Sequence, residues 1–187
     1  MRFRNRPAAA DGRRPPGWRR VLAVLVVVIV AFCLVTVRLF VWPAQGAPAR
    51  VSAIVMLAGP GDRLPVALTL ARQHRADVLA VSRGFEGYGS PCPSPVADVK
   101  VICFDPDPPT TQGEAEALGR LAKQYHWSSV ALVTSRTQDT RARLIAKRCF
   151  AGSTYVVTAP LQLSSWPYEL LYGWGALLKA LFVVRSC

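Results

Sequence analysis

Acid and histidine are scarce in these 187 residues: 11 Asp and Glu stand against 23 Lys and Arg, with 2 His. His74 and His126 lie far from any cysteine, and there is no Cys-x-x-Cys pair, so the spacing of a structural zinc site is missing. Gly-x-Gly-x-x-Gly and Walker loops are absent too, which removes the two common phosphate-cradling fingerprints. No Ser-His-Asp or Cys-His arrangement suggests nucleophilic catalysis, and no internal repeat is visible. Metal and cofactor therefore have no sequence signal.

The excess of base is unevenly placed. Seven arginines (Arg2, Arg4, Arg6, Arg13, Arg14, Arg19 and Arg20) precede Val21 against a single acid, Asp11. Beyond Trp42 there are 15 basic and 10 acidic groups, with no Lys/Arg stripe interleaved with aromatics. That distribution speaks against nucleic acid as a partner, because a phosphate-tracking surface needs clustered cations and stacking platforms.

Long apolar runs are also absent, with one exception. Val21–Val37 carries no charged residue, and Leu39–Trp42 extends it past Arg38. About 20 apolar residues rising ~1.5 Å each cross a hydrocarbon core of ~30 Å. Trp18 and Trp42 bracket the run at headgroup level, and Arg38 can snorkel along its own stem. The arginines before it predict a cytoplasmic N-terminus. A cleaved secretory signal ending near Ala44-Gln-Gly46 is the alternative; its apolar core would be about 7–15 residues, shorter than this one, so the reading favours an uncleaved anchor. The expected organisation is a leader at 1–20, a transmembrane helix at 21–42, a linker at 43–50 and an extracytoplasmic domain at 51–187.

Export gives the cysteines meaning. Cys92, Cys103, Cys149 and Cys187 form an even set for an oxidising compartment, with three pairings open. A short clip between Cys92, in a Pro-rich loop, and Cys103, in the next strand, would leave Cys149 and Cys187 to tie the chain terminus to a helix.

From Val51 onward short apolar runs alternate with helical patterns. This predicts a three-layer, Rossmann-like α/β domain with a mostly parallel sheet of about five strands, at 52–58, 78–82, 99–104, 129–134 and 154–158. Thr111-Gln-Gly-Glu114 reads as a capping box, and a helix is expected over 139–150. The last helix, with Leu170, Leu171, Trp174, Leu177, Leu178 and Leu181 at helical spacing, is expected to cover the sheet; lying on the bilayer is the alternative.

Ligands of open parallel sheets bind at the carboxyl ends of the strands. The residues expected there are Gly59, Gly61 and Arg63; Ser82, Gly84 and Glu86; Asp105, Thr111 and Glu114; and Thr134, Ser135, Gln138 and Arg141. Gly59 and Gly61 would let backbone approach an anion at a helix N-terminus, and the carboxylates Glu86, Asp105 and Glu114 could serve as acid, base or divalent-metal ligands. Arg141 is the candidate anion clamp, with Arg143, two positions on, pointing elsewhere.

The order Val-Met-Leu-Ala-Gly59, Val81-Ser-Arg-Gly84, Asp105 through Thr111-Gln-Gly-Glu114, and Val130-Ala-Leu-Val-Thr-Ser135 followed by Thr140-Arg-Ala-Arg143 resembles the YdcF-like (SanA/ElyC-like) family over roughly residues 51–160. The Arg-rich leader looks like an actinobacterial branch. The resemblance implies a Rossmann-like domain, often tethered by one helix, acting in envelope integrity or peptidoglycan-related metabolism, with a phosphate-bearing envelope precursor as partner. Gly59, Ser82, Gly84, Thr111, Glu114, Thr134, Ser135 and Arg141 match its site-forming pattern. In Val-Thr-Ser-x-x-His-x-x-Arg-Ala many members have a histidine where this chain has Gln138, which cannot shuttle protons near neutral pH. Two functions are carried forward: an envelope enzyme or handler of lipid-linked phosphate, and a non-catalytic scaffold that keeps the cleft.

Overall fold

The computed structural model describes residues 17–44, 46–84, 91–96 and 98–187. Two compact units are distinguished, one ending at Val35 and the other running Thr36–Cys187. In the first, helix α1 (Gly17–Thr36) is built around Val21–Ala31, an unbroken run of Val, Leu, Ile and Ala. With the π-helical turn Val37–Val41 that continues it, the segment is long and apolar enough to cross a membrane.

The second unit is a five-stranded, all-parallel sheet in the order β3-β2-β1-β4-β5, with helices on both faces. Its strands are β1 (Ala53–Met56), β2 (Val78–Ser82), β3 (Lys100–Phe104), β4 (Ser129–Ser135) and β5 (Ser153–Ala159). The central strands are apolar on both sides because both sides are covered. Ala53, Val55 and Leu57 pack with Leu118, Ala142 and Ala146 of helices α3 (Thr111–Gln124) and α4 (Arg136–Cys149), whereas Ile54 and Met56 pack with Ala67 and Ala71 of α2 (Arg63–Arg72). Burying both faces removes roughly 25 cal/mol per Å² of apolar surface from water. His74 and His126, each just beyond a helix C-terminus, have positive φ and lie at the ends of α2 and α3 away from the strands' carboxyl edge.

The strand order reverses beside β1, where β2 and β4 flank it, and that is where a doubly wound sheet opens a crevice. Helix α4 follows β4 without a loop and starts three residues earlier than the sequence pattern predicts, which puts Arg141 in its second turn.

Helix α5 (Trp166–Phe182) departs from expectation. It packs against α4 rather than over the sheet, and its buried positions are Glu169, Gly173, Leu177 and Ala180, two of them small, while Leu171, Leu178 and Phe182 are exposed. Arg148 of α4 donates to the carbonyls of Ala180 and Val184 and so satisfies acceptors at the α5 C-terminus. The residues leaving the apolar segment are built into the same unit. Phe40 is 1% exposed and lies against Gly173, where a Cβ would come within 2.9 Å of its ring. Thr140 Oγ1 donates to the Leu39 carbonyl at 2.7 Å, and Arg143 Nη2 donates to that of Ala44 at 2.5 Å. The compact unit thus begins at Thr36, upstream of the domain start expected at Val51.

Both expected disulfides form, Cys92–Cys103 and Cys149–Cys187, while Cys33 is free and exposed. The first clips the β2–β3 connection; the second fastens the tail beyond α5 to the end of α4. They span 11 and 38 residues, and a longer closed loop restricts the unfolded chain more. Replacing the Cys149–Cys187 pair with serines should therefore cost about 4 kcal/mol, and the Cys92–Cys103 pair about 3 kcal/mol, in chemical denaturation of the full chain. Equal losses, or a larger loss from the shorter loop, would contradict this ordering.

Candidate functional site

The site begins with how β1 ends. Arg63, the first residue of α2, is only 2% exposed, because its side chain folds back under the β1–α2 turn. Its Nη1 donates to the carbonyls of Leu57 (3.0 Å) and Ala58 (2.5 Å), Nε donates to that of Pro60 (3.0 Å), and Nη2 donates to Ser135 Oγ (3.3 Å). Gly59, at φ 135°, makes room for this: a Cβ there would sit 2.6 Å from Arg63 Nη2. Gly61 abuts the Pro160 carbonyl in the same way. The space that Gly59 and Gly61 were expected to open for an anion is filled from within the protein, and Arg63 is a structural clamp rather than a ligand contact.

Glu114 completes the clamp from α3. It does not reach back to its own helix start; Oε1 accepts the Ala58 N–H at 2.6 Å, and the helix is capped one residue earlier than expected, by Thr110 Oγ1 accepting the Gly113 N–H at 3.3 Å. Burial pushes the Glu114 carboxyl above its ordinary range, against the opposing pull of the Ala58 N–H, the Ser82 hydroxyl and the guanidinium groups of Arg63 and Arg141. Ser82 lies close enough to favour the charge, yet its Oγ is outside hydrogen-bond geometry. Burial likewise lowers Arg63 to about 10, with Glu114 raising it, Arg141 lowering it and Glu169 raising it. Arg63 is a cation at neutral pH, and burial favours the protonated form of Glu114 relative to an exposed carboxyl.

A cleft of about 500 Å³ opens over this clamp, walled by Ala58–Pro60, Pro108–Gln112, Glu114, and α4 and α5. Thr111, Gln138 and Arg141 line it with Gly59 and Glu114, so five of the expected site residues come together there. Arg141 lies with Cζ 5.5 Å from the Tyr172 ring centroid, a cation–π contact that occupies one face of the guanidinium. Its Nε is buried without a hydrogen-bond partner, as are Ser82 Oγ and Thr134 Oγ1. Gln138 is buried in the cleft wall.

Among the described residues, the other expected positions stand outside the cleft. Ser135 Oγ serves Arg63 and lies 3.4 Å from Thr137 Oγ1; Thr134 and Ser82 are buried at strand ends beside β1; Gly84 follows β2 at φ 69°. Asp105 is an exposed ion-pair partner of Arg83, and Glu86 lies outside the described residues. Arg143 does point elsewhere: its Nε pairs with the buried Asp139 at 2.5 Å. Burial raises the Asp139 pKa, and Arg143 opposes that rise.

Sequence reasoning missed the α5 wall, which supplies Tyr168, Glu169, Tyr172 and Lys179. The signal was there, since Tyr168, Tyr172 and Lys179 fall on one helical face, but it was read as part of a sheet-covering helix. Glu169 is buried and accepts from Thr137 Oγ1 at 3.4 Å. Among the described residues no three His, Cys, Asp or Glu side chains gather as a metal site. No family model, curated protein or solved structure matches this chain.

The raised carboxyl has a pH consequence. In the folded state Glu114 holds its proton to a higher pH than in the unfolded chain, so this group's penalty is absent below the ordinary carboxylate range and grows as pH rises towards the folded value. Glu114→Gln keeps an acceptor for Ala58 and cannot ionise. The melting temperature of this variant relative to wild type should climb with pH through that window and then level off; parallel melting curves at all pH values would contradict the assignment.

Proposed function

We propose that the chain is a single-span membrane protein of the cell envelope, N-terminus in the cytoplasm, whose extracytoplasmic α/β domain binds an anionic, phosphate-bearing ligand in the cleft at the carboxyl edge of the sheet. The observation that carries the ligand class is Arg141: a guanidinium lining the cleft, stacked on Tyr172, with a buried Nε that has no acceptor. An unpaired buried donor costs about 1–3 kcal/mol, and an oxyanion is the acceptor that relieves it best. Lys179 adds a second cation to a wall that also holds the buried carboxyl groups of Glu169 and Glu114, and burial favours the protonated form of Glu114.

Location rests on separate support. The apolar segment is long enough to cross a membrane, the preceding arginines favour a cytoplasmic N-terminus, and two disulfides suit an oxidising compartment. The burial of Phe40 and the bonds to Leu39 and Ala44 favour retention of that segment over cleavage near residue 46. The motif resemblance to the YdcF-like family supports the envelope role and a precursor as ligand.

A second reading, a scaffold that binds without catalysis, is favoured by Gln138. A neutral amide occupies the cleft wall where a proton-shuttling histidine stands in many proteins of that family.

Inorganic diphosphate serves as the probe. Calorimetry on the full chain in detergent should show binding that Arg141→Ala weakens by about 1.5–3 kcal/mol, the scale of a hydrogen bond to a charged group. Arg120→Ala, on the exposed side of α3, should leave it unchanged. Arg143 is unsuitable as the control, because its removal strands the buried Asp139. Equal affinity in the Arg141 and Arg120 variants, or no binding by wild type, would discard the anion cleft in favour of the scaffold.

A further inference from the structure

Among the described residues, every large apolar side chain exposed after Trp42 belongs to the segment Leu163–Val183. The described residues from 43 to 162 contribute none. On α5 the exposed set is ordered. At ~100° per residue, Leu171, Leu178 and Phe182 fall opposite the buried Glu169, Gly173 and Ala180, and they are 78%, 47% and 65% exposed. Leucine and phenylalanine in water on one continuous stripe mark a surface that something covers.

The covering surface is identified by what the stripe adjoins. Trp174 meets Phe40 edge-on at 5.3 Å between ring centroids, and its Nε1–H donates to Thr36 Oγ1 at 3.2 Å. Thr36 and Phe40 belong to the end of the candidate span, Gly17–Val41, so α5 is fastened where the chain leaves the apolar segment. Arg38, donating to the Trp42 carbonyl at 3.0 Å, and exposed Trp42 are residues of the headgroup level at the same place. Charge does not oppose an anionic surface: in residues 160–187 the only acidic side chain, Glu169, is buried, and the exposed charged side chains are basic, Arg185 beyond the helix and Lys179 on its cleft side. With 17 residues, about 25 Å at ~1.5 Å each, α5 suits lying in the interface better than crossing it.

We infer that the outward stripe of α5 is a second, monotopic membrane contact, seated in the headgroup region of the leaflet from which the chain emerges, on anionic lipid. The domain is then held at two points, by the span and by the helix that walls the cleft. The inference rests on the anchor reading and is independent of the cleft's ligand.

The test uses the full chain with Cys33→Ser and one nitroxide-labelled cysteine at a time, replacing Val28, Leu178 or Arg120, in phosphatidylcholine vesicles containing phosphatidylglycerol. Collision rates with oxygen and with a water-soluble nickel chelate report depth. The Val28 and Leu178 labels should favour oxygen and the Arg120 label nickel, and adding Leu171→Glu should shift the Leu178 label towards nickel. A Leu178 label as open to nickel as that at Arg120, with Val28 still protected, overturns the α5 contact and leaves the anchor standing. A water-exposed Val28 label overturns both. Protection of Leu178 from both reagents, with spin–spin broadening, assigns the stripe to a second copy of the chain and also overturns the proposal.

Discussion

The buried charge cluster under the β1–α2 turn is the constraint on which the cleft depends. Arg63 and Glu114 come from different helices and hold adjacent backbone groups of one turn, the guanidinium taking the carbonyls of Leu57, Ala58 and Pro60 and the carboxyl taking the Ala58 N–H. Irregular backbone at the edge of a closed core would otherwise carry unpaired polar groups. Removing either side chain strips buried backbone groups of this turn of their partners, at about 1–3 kcal/mol for each group left unsatisfied. The turn that floors the cleft is therefore set before any ligand arrives.

The two other walls answer to different demands. Helix α4 follows β4 directly and places Arg141 above the clamp, where Tyr172 of α5 covers one face of its guanidinium. Helix α5 is fixed in turn by small residues: Gly173 admits Phe40, and Ala180 packs with Ala115 and Ile145. One helix thus receives the chain leaving the apolar segment on its inner side and lines the cleft with Tyr168, Tyr172 and Lys179. The residues leaving the apolar segment therefore touch both helices that wall the cleft, α5 through Phe40 in its slot and α4 through the Thr140 bond to Leu39.

The sheet was legible because its physics is local. Doubly buried strands must be apolar on both faces, and runs such as Val130–Val133 between turn signals say so. The cysteine pairing followed from loop position. Helix α5 was misread because periodicity finds an apolar face without naming its partner, and here the packed face is Glu169, Gly173, Leu177 and Ala180 while Leu171, Leu178 and Leu181 turn outward. Arg63 was misread for a similar reason: an arginine at a helix N-terminus after Gly-Pro-Gly looks like an anion ligand, and only the folded turn reveals carbonyls within its reach. Glu114 kept its place in the site with another role, since capping three residues back and bonding across to β1 look the same in sequence.

The state of the Arg141 Nε–H is the most direct test of the account. In 15N NMR of the full chain, an arginine Nε–H resonance assigned through its loss in Arg141→Lys should be present without diphosphate, move downfield during a diphosphate titration, and exchange more slowly with water once bound. An Arg141 resonance that stays fixed while diphosphate shifts other arginines, or while nothing shifts, would contradict the anion cleft.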